Sequence, residues 1–371
     1  MHVTIIGAGL GGLATAALLR QGGAEVTLVD RAEPGGRART STHAGALVNL
    51  GPHALYRGSR AIPVLHRLGA TPIGGLVPAA GRVLRAGALH ELPGAAASLW
   101  STSVLSPTEK LRLGAWFAMP PPPGTVQKWL APASPALRDL LSGLVRLSTY
   151  AHAPEQMSAQ AAFAQLRRAL AGVLYLDGGW QSLVDALLPL AGPVTRADVR
   201  SLPTGGPLVL AGPPSLARSL GIELPDLVEA RVSCLDLVLD GLPVPENRFV
   251  LGLDEALYLS EHGHLAALGG TVLHAAQYLA PGETGDRATL ERLLDRAQPG
   301  WRDHVRWSRF APSLVASHRV DRPGEQVPMG PRPGVFLVGD YVGEAAMLAD
   351  RVFDSAERVA NALLARVRMA A

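Results

Sequence analysis

Cys234 is the only cysteine of this 371-residue chain, so no disulfide can close within it and no thiolate metal cluster can be built. That fits a reducing, cytoplasmic setting. Lysine is nearly absent: only Lys110 and Lys128 occur, and the remaining basic residues are scattered arginines. Net charge is +3 with 18% charged residues, and no basic run is interleaved with aromatics, which excludes a nucleic-acid partner. Long apolar runs are missing too. Mean hydropathy is +0.18, yet the stretch from His262 to Gly282 is broken by Gly, His, Gln and Pro, so no membrane-spanning helix is expected. The opening lacks a basic leader and a small-residue cleavage site, which argues against a removed signal.

What is present concentrates near the start. Val3 to Ile6 reads as a short apolar strand running into Gly7-Ala8-Gly9-Leu10-Gly11-Gly12, with an Ala/Leu helix to Arg20 and a second strand from Glu25 to Val29, ending at Asp30. Gly7 serves a tight turn, Gly9 a close approach of diphosphate to backbone, and Gly12 close packing of helix on sheet. The helix N-terminus offers free N–H groups and the positive end of its dipole to phosphates. Asp30, about 20 residues on, is placed for the adenosine ribose hydroxyls and disfavours a 2′-phosphate, so NADP is a poor fit. Arg31 follows it, and Gly35-Gly36-Arg37-Ala38-Arg39-Thr40 supplies a second diphosphate clamp. The combination points to FAD as cofactor.

Further along, residues 57–171 read as short apolar helices with proline breaks, including Pro120 to Pro123; Ser158 is placed to cap a helix reaching Leu170. A helix is expected from Gln181 to Leu188, and a buried strand at Pro207 to Ala211. Alternation from Val228 to Ala275 predicts an antiparallel sheet. Thr289 to Arg296 reads as helix. Gly334 to Val338 has the continuous apolar character of a buried parallel strand; Gly339-Asp340 follows, then a helix from about Ala346 to Val367.

These residues together resemble the FAD-dependent superfamily of flavin amine oxidases, protoporphyrinogen oxidase and phytoene-type desaturases, with phytoene dehydrogenase-like members nearest in look. The resemblance spans nearly the whole chain, although its specific motifs lie near the two ends. It implies an α/β architecture: a discontinuous Rossmann-like FAD-binding domain (residues 1–56, 172–215 and 325–371) and an inserted α+β substrate domain (57–171 and 216–324) with an antiparallel sheet and a helical part. It also implies that Arg37 contacts the diphosphate, that Gly51, Pro52 and His53 lie beside the isoalloxazine, and that Val199 meets adenine. Gly339 and Asp340 would face the ribityl and diphosphate region, with Leu348 at the pyrimidine edge. A helix N-terminus there stabilises negative charge on a reduced flavin. Asp177-Gly178-Gly179-Trp180 resembles the motif opening the middle of the FAD domain, with Trp180 read as packing.

Two departures stand out. Only a short segment separates Val199 from Ala211, where the family has extra strands, and Asp354-Ser355-Ala356 replaces the usual Ser-Gly. No catalytic residue is identified, and flavin dehydrogenation does not require a protein base. The family's amine oxidases place a lysine near the flavin and an aromatic cage over the amine. Here both lysines fall in the helical insert and the last motif offers only Tyr341. Dehydrogenation of an apolar, isoprenoid- or carotenoid-like small molecule by hydride transfer is therefore expected over amine oxidation, with a non-catalytic flavin- or nucleotide-binding protein as the reading from another class. A pure NAD dehydrogenase leaves Arg37 and Gly339-Asp340 unexplained. His262-Gly-His264 has no third ligand nearby, so no metal site is expected. Trp100, Trp116, Phe117 and Trp129 have two readings, a face for peripheral membrane contact and a plain helical core. Nothing in the sequence sets an oligomeric state.

Overall fold

The computed structural model describes residues 1–203, 205–344 and 346–370, the side chains of 367–370 excepted. Five parallel strands form the first sheet, in the order Val194–Arg196, Glu25–Asp30, His2–Ile6, Leu208–Leu210, Val335–Leu337. Three separated stretches of chain supply them. The apolar runs are short and continuous because helices cover both faces, as parallel sheets require. The first helix, Leu10–Gln21, packs against Gln181–Ala191 and the last helix, Leu348–Ala370.

Gly12 explains how the first helix sits so close. A Cβ on it would lie 1.8 Å from the Gly7 carbonyl oxygen, while Gly7 itself has φ +110° and its Cβ would meet the Ala211 oxygen at 2.3 Å. The last helix fits although it lacks the usual Ser-Gly pair. Ser355 Oγ accepts from the Gly339 N–H at 3.2 Å, and Ala356 is fully buried. The edge strand Val194–Arg196 has three residues and pairs in parallel with Leu28 to Asp30.

The second sheet has seven strands, in the order Val305–Ser317, Ala230–Leu239, Thr271–Leu279, Leu257–Glu261, Phe249–Gly252, Arg82–Arg85, Ala88–Glu91. It is larger than the alternation from Val228 to Ala275 predicts, and mixed, since Phe249–Gly252 runs parallel to Arg82–Arg85. Two parts of it correct the sequence reading. Val305–Ser317 carries Pro312, and its register against Ala230–Leu239 shifts three times; an edge strand tolerates both, because one side of its ladder is unpaired. Arg82–Arg85 and Ala88–Glu91 form a hairpin inside the stretch read as helical. Its two-residue turn, Ala86-Gly87, has positive φ at both positions (50° and 78°), the geometry that matches strand twist. Leu55–Tyr56, Gly74–Leu76 and Val173–Leu176 form a further small sheet.

The helical part, with Pro107–Ala118, Val126–Leu130, Pro135–Thr149 and Ala159–Leu170, has its own core. Ser158 caps the last of these by accepting from Ala161 N–H. Trp129 is buried there, Trp116 and Phe117 pack against that core, and Trp100 is exposed, so three of the four aromatics serve packing. Among the described residues, no helix is long and apolar enough to cross a membrane.

Candidate functional site

One cavity of about 800 Å³ opens along the C-terminal ends of the parallel strands and continues to the inner face of the seven-stranded sheet. The position obeys a general rule: ligands of open α/β sheets bind outside the strands' carboxyl ends. Of the residues singled out from the sequence, Gly7, Gly9, Leu10, Gly11, Asp30, Arg31, Gly36, Arg37, Gly51, Pro52, His53, Val199, Gly339, Asp340 and Leu348 line it. Ala8 and Gly12 do not. Ala8 is fully buried and its N–H donates to Asp30 Oδ2 at 2.6 Å. Gly12 is spent on the close crossing over Gly7. Both shape the wall from behind.

At one end, Asp30 accepts from the Ala8 and Ala32 N–H groups, which fixes its carboxylate at the rim beside Arg31 and Val199. A Cβ on Gly9 would meet nothing within 4 Å: the backbone there faces open cavity, the cradle a diphosphate requires. Gly36 stands opposite, with a built Cβ 3.6 Å from the Gly9 Cα. Arg37 reaches across, donating to Asp340 Oδ2 at 2.7 Å and to the Val315 and Ala316 carbonyls at 3.1 and 3.2 Å. Asp340 also accepts from the His318 N–H at 3.1 Å and from His318 Nδ1 at 2.8 Å. Burial alone would push its carboxyl up; Arg37 and His318 outweigh that and hold it far below the usual carboxylate range. The two chain ends and the large sheet thus meet at one charged knot, 303 residues apart in sequence.

Further in, Gly51 (φ +79°) turns the chain so that Pro52 and His53 face the cavity. His53 Nδ1 donates to the Gly51 carbonyl at 3.1 Å and its ring lies edge-on to Trp180. Burial lowers its pKa to about 4, so the ring is neutral at pH 7. With Nδ1 carrying the proton, Nε2 is an acceptor. Leu348 begins the last helix with φ +55°, an unfavourable conformation for a branched side chain, which clusters at functional sites.

Behind Gly51, Cys234, Asp236 and His274 are fully buried, with their ligand atoms within 4.8 Å of one another. This group is an anchor. Asp236 is engaged by Arg309 at 2.6 Å and accepts from His274 Nδ1 at 2.7 Å, and burial keeps the Cys234 thiol protonated. Arg309 also donates to the Asn49 carbonyl at 2.7 Å, tying the large sheet to the segment that carries His53. His262 is buried, stacked on Tyr175 and bonded to Ser260, whereas His264 pairs with Glu261; they are not a ligand pair.

Sequence reasoning missed the far end: Tyr56, Tyr150, Gln165, Val232, Leu314 and Asp350 all line it. Among the described residues no lysine does; Lys110 donates to the Trp100 carbonyl. Tyr341 is fully buried in a neighbouring core rather than caging the site. Burial raises Asp350 to about 6, against a Ser59 hydrogen bond and the charges of Arg168 and Arg60, which lower it. The folded state therefore holds this proton more tightly than the unfolded chain does. Stability falls as pH rises from about 4 to about 6, by up to about 3 kcal/mol, and stays reduced above that. Asp350→Asn should accordingly be more stable than wild type at pH 7.5 and no more stable at pH 4.5 in urea unfolding. A variant destabilised at both would mean that the carboxylate is compensated.

The fold is that of the flavin amine oxidases. A family model described as an NAD(P)-binding Rossmann-like domain matches residues 5–68. Among solved structures, an oxidoreductase from Methanosarcina mazei is 18% identical, with TM-score 0.76, over 97% of this chain and 100% of that one. Cyclohexylamine oxidase from Brevibacterium oxydans is 16% identical, with TM-score 0.72, over 99% of each. RAB GDI from Plasmodium falciparum is 12% identical, with TM-score 0.63, over 96% of each. No curated protein matches the sequence. Names this varied on one fold leave function to be argued from the site.

Proposed function

We propose that the chain is an FAD-dependent oxidoreductase that dehydrogenates a mainly apolar small molecule, as phytoene dehydrogenase-like proteins do. One observation carries this reading: the cavity runs unbroken from Asp30 past Arg37 and Asp340 to His53 and Leu348, then into a chamber walled by Tyr56, Tyr150, Val232 and Leu314. The residues fit the cofactor. Asp30 would take the ribose, Gly9, Gly36 and Arg37 the diphosphate, and Val199 the adenine. Pro52, His53 and the N-terminus of the last helix would take the ring system. Bound FAD supplies the hydride acceptor.

The chain's own part is to position and to exclude water. The apolar wall from Val232 and Leu314 presses a substrate toward the His53 side. Neutral His53 adds no cation there, and the last helix aims its positive end at the ring edge. Among the described residues no lysine lines the cavity and Tyr341 lies outside it, which supports an isoprenoid-like substrate over an amine. The single, buried cysteine suits a cytoplasmic protein.

Anaerobic mixing of the FAD-loaded protein with a panel of isoprenoids and amines tests the proposal. Loss of flavin colour with the isoprenoids is the expected result. Reduction by amines alone would make it an amine oxidase, and inertness to the whole panel would favour a non-catalytic flavin-binding protein.

A further inference from the structure

Besides Trp180 Nε1 beside His53, two side chains lining the cavity, both at its far end, each have a buried polar atom that nothing in the protein satisfies. Gln165, on the helix Ala159–Leu170, is fully buried, yet its Nε2 has no hydrogen-bond partner. Arg168 Nη1 donates to the Gln165 Oε1 at 3.4 Å, which fixes which end of the amide is which and leaves the NH2 group free. Asp350, in the first turn of the last helix, is 3% exposed, and its Oδ2 likewise has no partner. Both line the same cavity, and Arg168 acts on both. An unpaired buried donor or acceptor costs about 1–3 kcal/mol, so two in one chamber call for an occupant that completes them.

We infer that Gln165 and Asp350 are specificity-determining residues that bind a hydroxyl group on an otherwise apolar substrate. The assignment rests on the flavoenzyme reading above and deepens it. A hydroxyl is the smallest group that accepts from an amide NH2 and donates to a carboxylate at once. A hydrocarbon does neither and would leave both groups bare. An ammonium would satisfy Asp350 alone, and it would enter beside Arg168 and Arg60, whose positive charges already act on that carboxylate. The groups bearing on Asp350 are thus Ser59 and Arg60 from the segment after Tyr56, Arg168 from the helix Ala159–Leu170, and Tyr56 itself. A substrate built this way is anchored at its polar end, with the apolar body along Val232 and Leu314. The C–H to be oxidised then lies a fixed distance from the hydroxyl.

The test uses the FAD-loaded protein and matched pairs of 1-alkanols and n-alkanes with six to twelve carbons, binding read from perturbation of the flavin spectrum. Wild type should bind the alcohol of each pair at least tenfold tighter than the alkane. Gln165→Leu and Asp350→Leu should each remove most of that preference while holding FAD as tightly as wild type. Asp350→Asn, nearly isosteric, guards against a folding failure: it should keep the fold and still weaken the preference. A wild type with no alcohol preference overturns the inference, because an ordered water then satisfies both groups. Variants that lose FAD itself overturn it as well, since the pair would belong to the cofactor. Failure of wild type to take up any flavin is seen before a probe is added, and strikes the flavoenzyme reading instead.

Discussion

Replacing Gly12 with alanine should unfold the nucleotide-binding half of the protein, with a loss of roughly 3–5 kcal/mol in chemical denaturation. The added Cβ would lie 1.8 Å from the Gly7 oxygen and 2.9 Å from its carbonyl carbon. Both are backbone atoms, so no rotamer change relieves the clash, and the helix must lift off the sheet. Gly9→Ala is the contrasting case. Its Cβ meets nothing within 4 Å and its φ of −75° suits any residue, so it should melt within a degree or two of wild type. What the new methyl does is fill the space in which the diphosphate would lie, so FAD binding should weaken at least tenfold. Two alanines three residues apart therefore separate stability from binding. Equal melting temperatures for both variants would contradict the packing argument.

Arg37→Ala should weaken FAD binding at least a hundredfold, the scale of losing charge-assisted hydrogen bonds to a phosphate. It also leaves the buried Asp340 carboxylate with His318 alone. Because the Arg37 side chain is 42% exposed, solvent shares its charge, and the accompanying loss of stability should be only about 1–2 kcal/mol. That loss has a definite pH window. A depressed carboxyl contributes stability above its unfolded value near 4 and forfeits it as pH falls through the lower folded value, so the deficit of the variant should be present at pH 7 and shrink in acid. Arg37→Lys should rescue little. An ammonium cannot serve Asp340 and the two carbonyls of Val315 and Ala316 in the fork geometry that Arg37 uses.

The Rossmann-like half of the molecule was legible because its signals lie in short segments. Gly7 to Gly12 carries a turn, a close approach and a helix start within six residues, and Val335–Leu337 is a buried parallel strand recognisable by continuous apolarity. The half built on the seven-stranded sheet was not, for physical reasons. Pro312 and a broken register disguise the edge strand Val305–Ser317. The hairpin at Ala86-Gly87 uses an uncommon alanine at positive φ. Gln165 and Asp350 carry no local signature at all: one lies mid-helix among apolar neighbours, the other reads as an ordinary first-turn acid. Only the fold shows that both are buried, that each keeps one polar atom unpaired, and that both line one cavity.

The most direct test of the account is to purify the protein, denature it, and identify and count what it releases. A site formed by Asp30, Gly9, Arg37, Asp340 and His53 predicts FAD, at one molecule per chain after reconstitution. A colourless chain that neither retains nor takes up FAD, or one that binds NAD in its place, would contradict it.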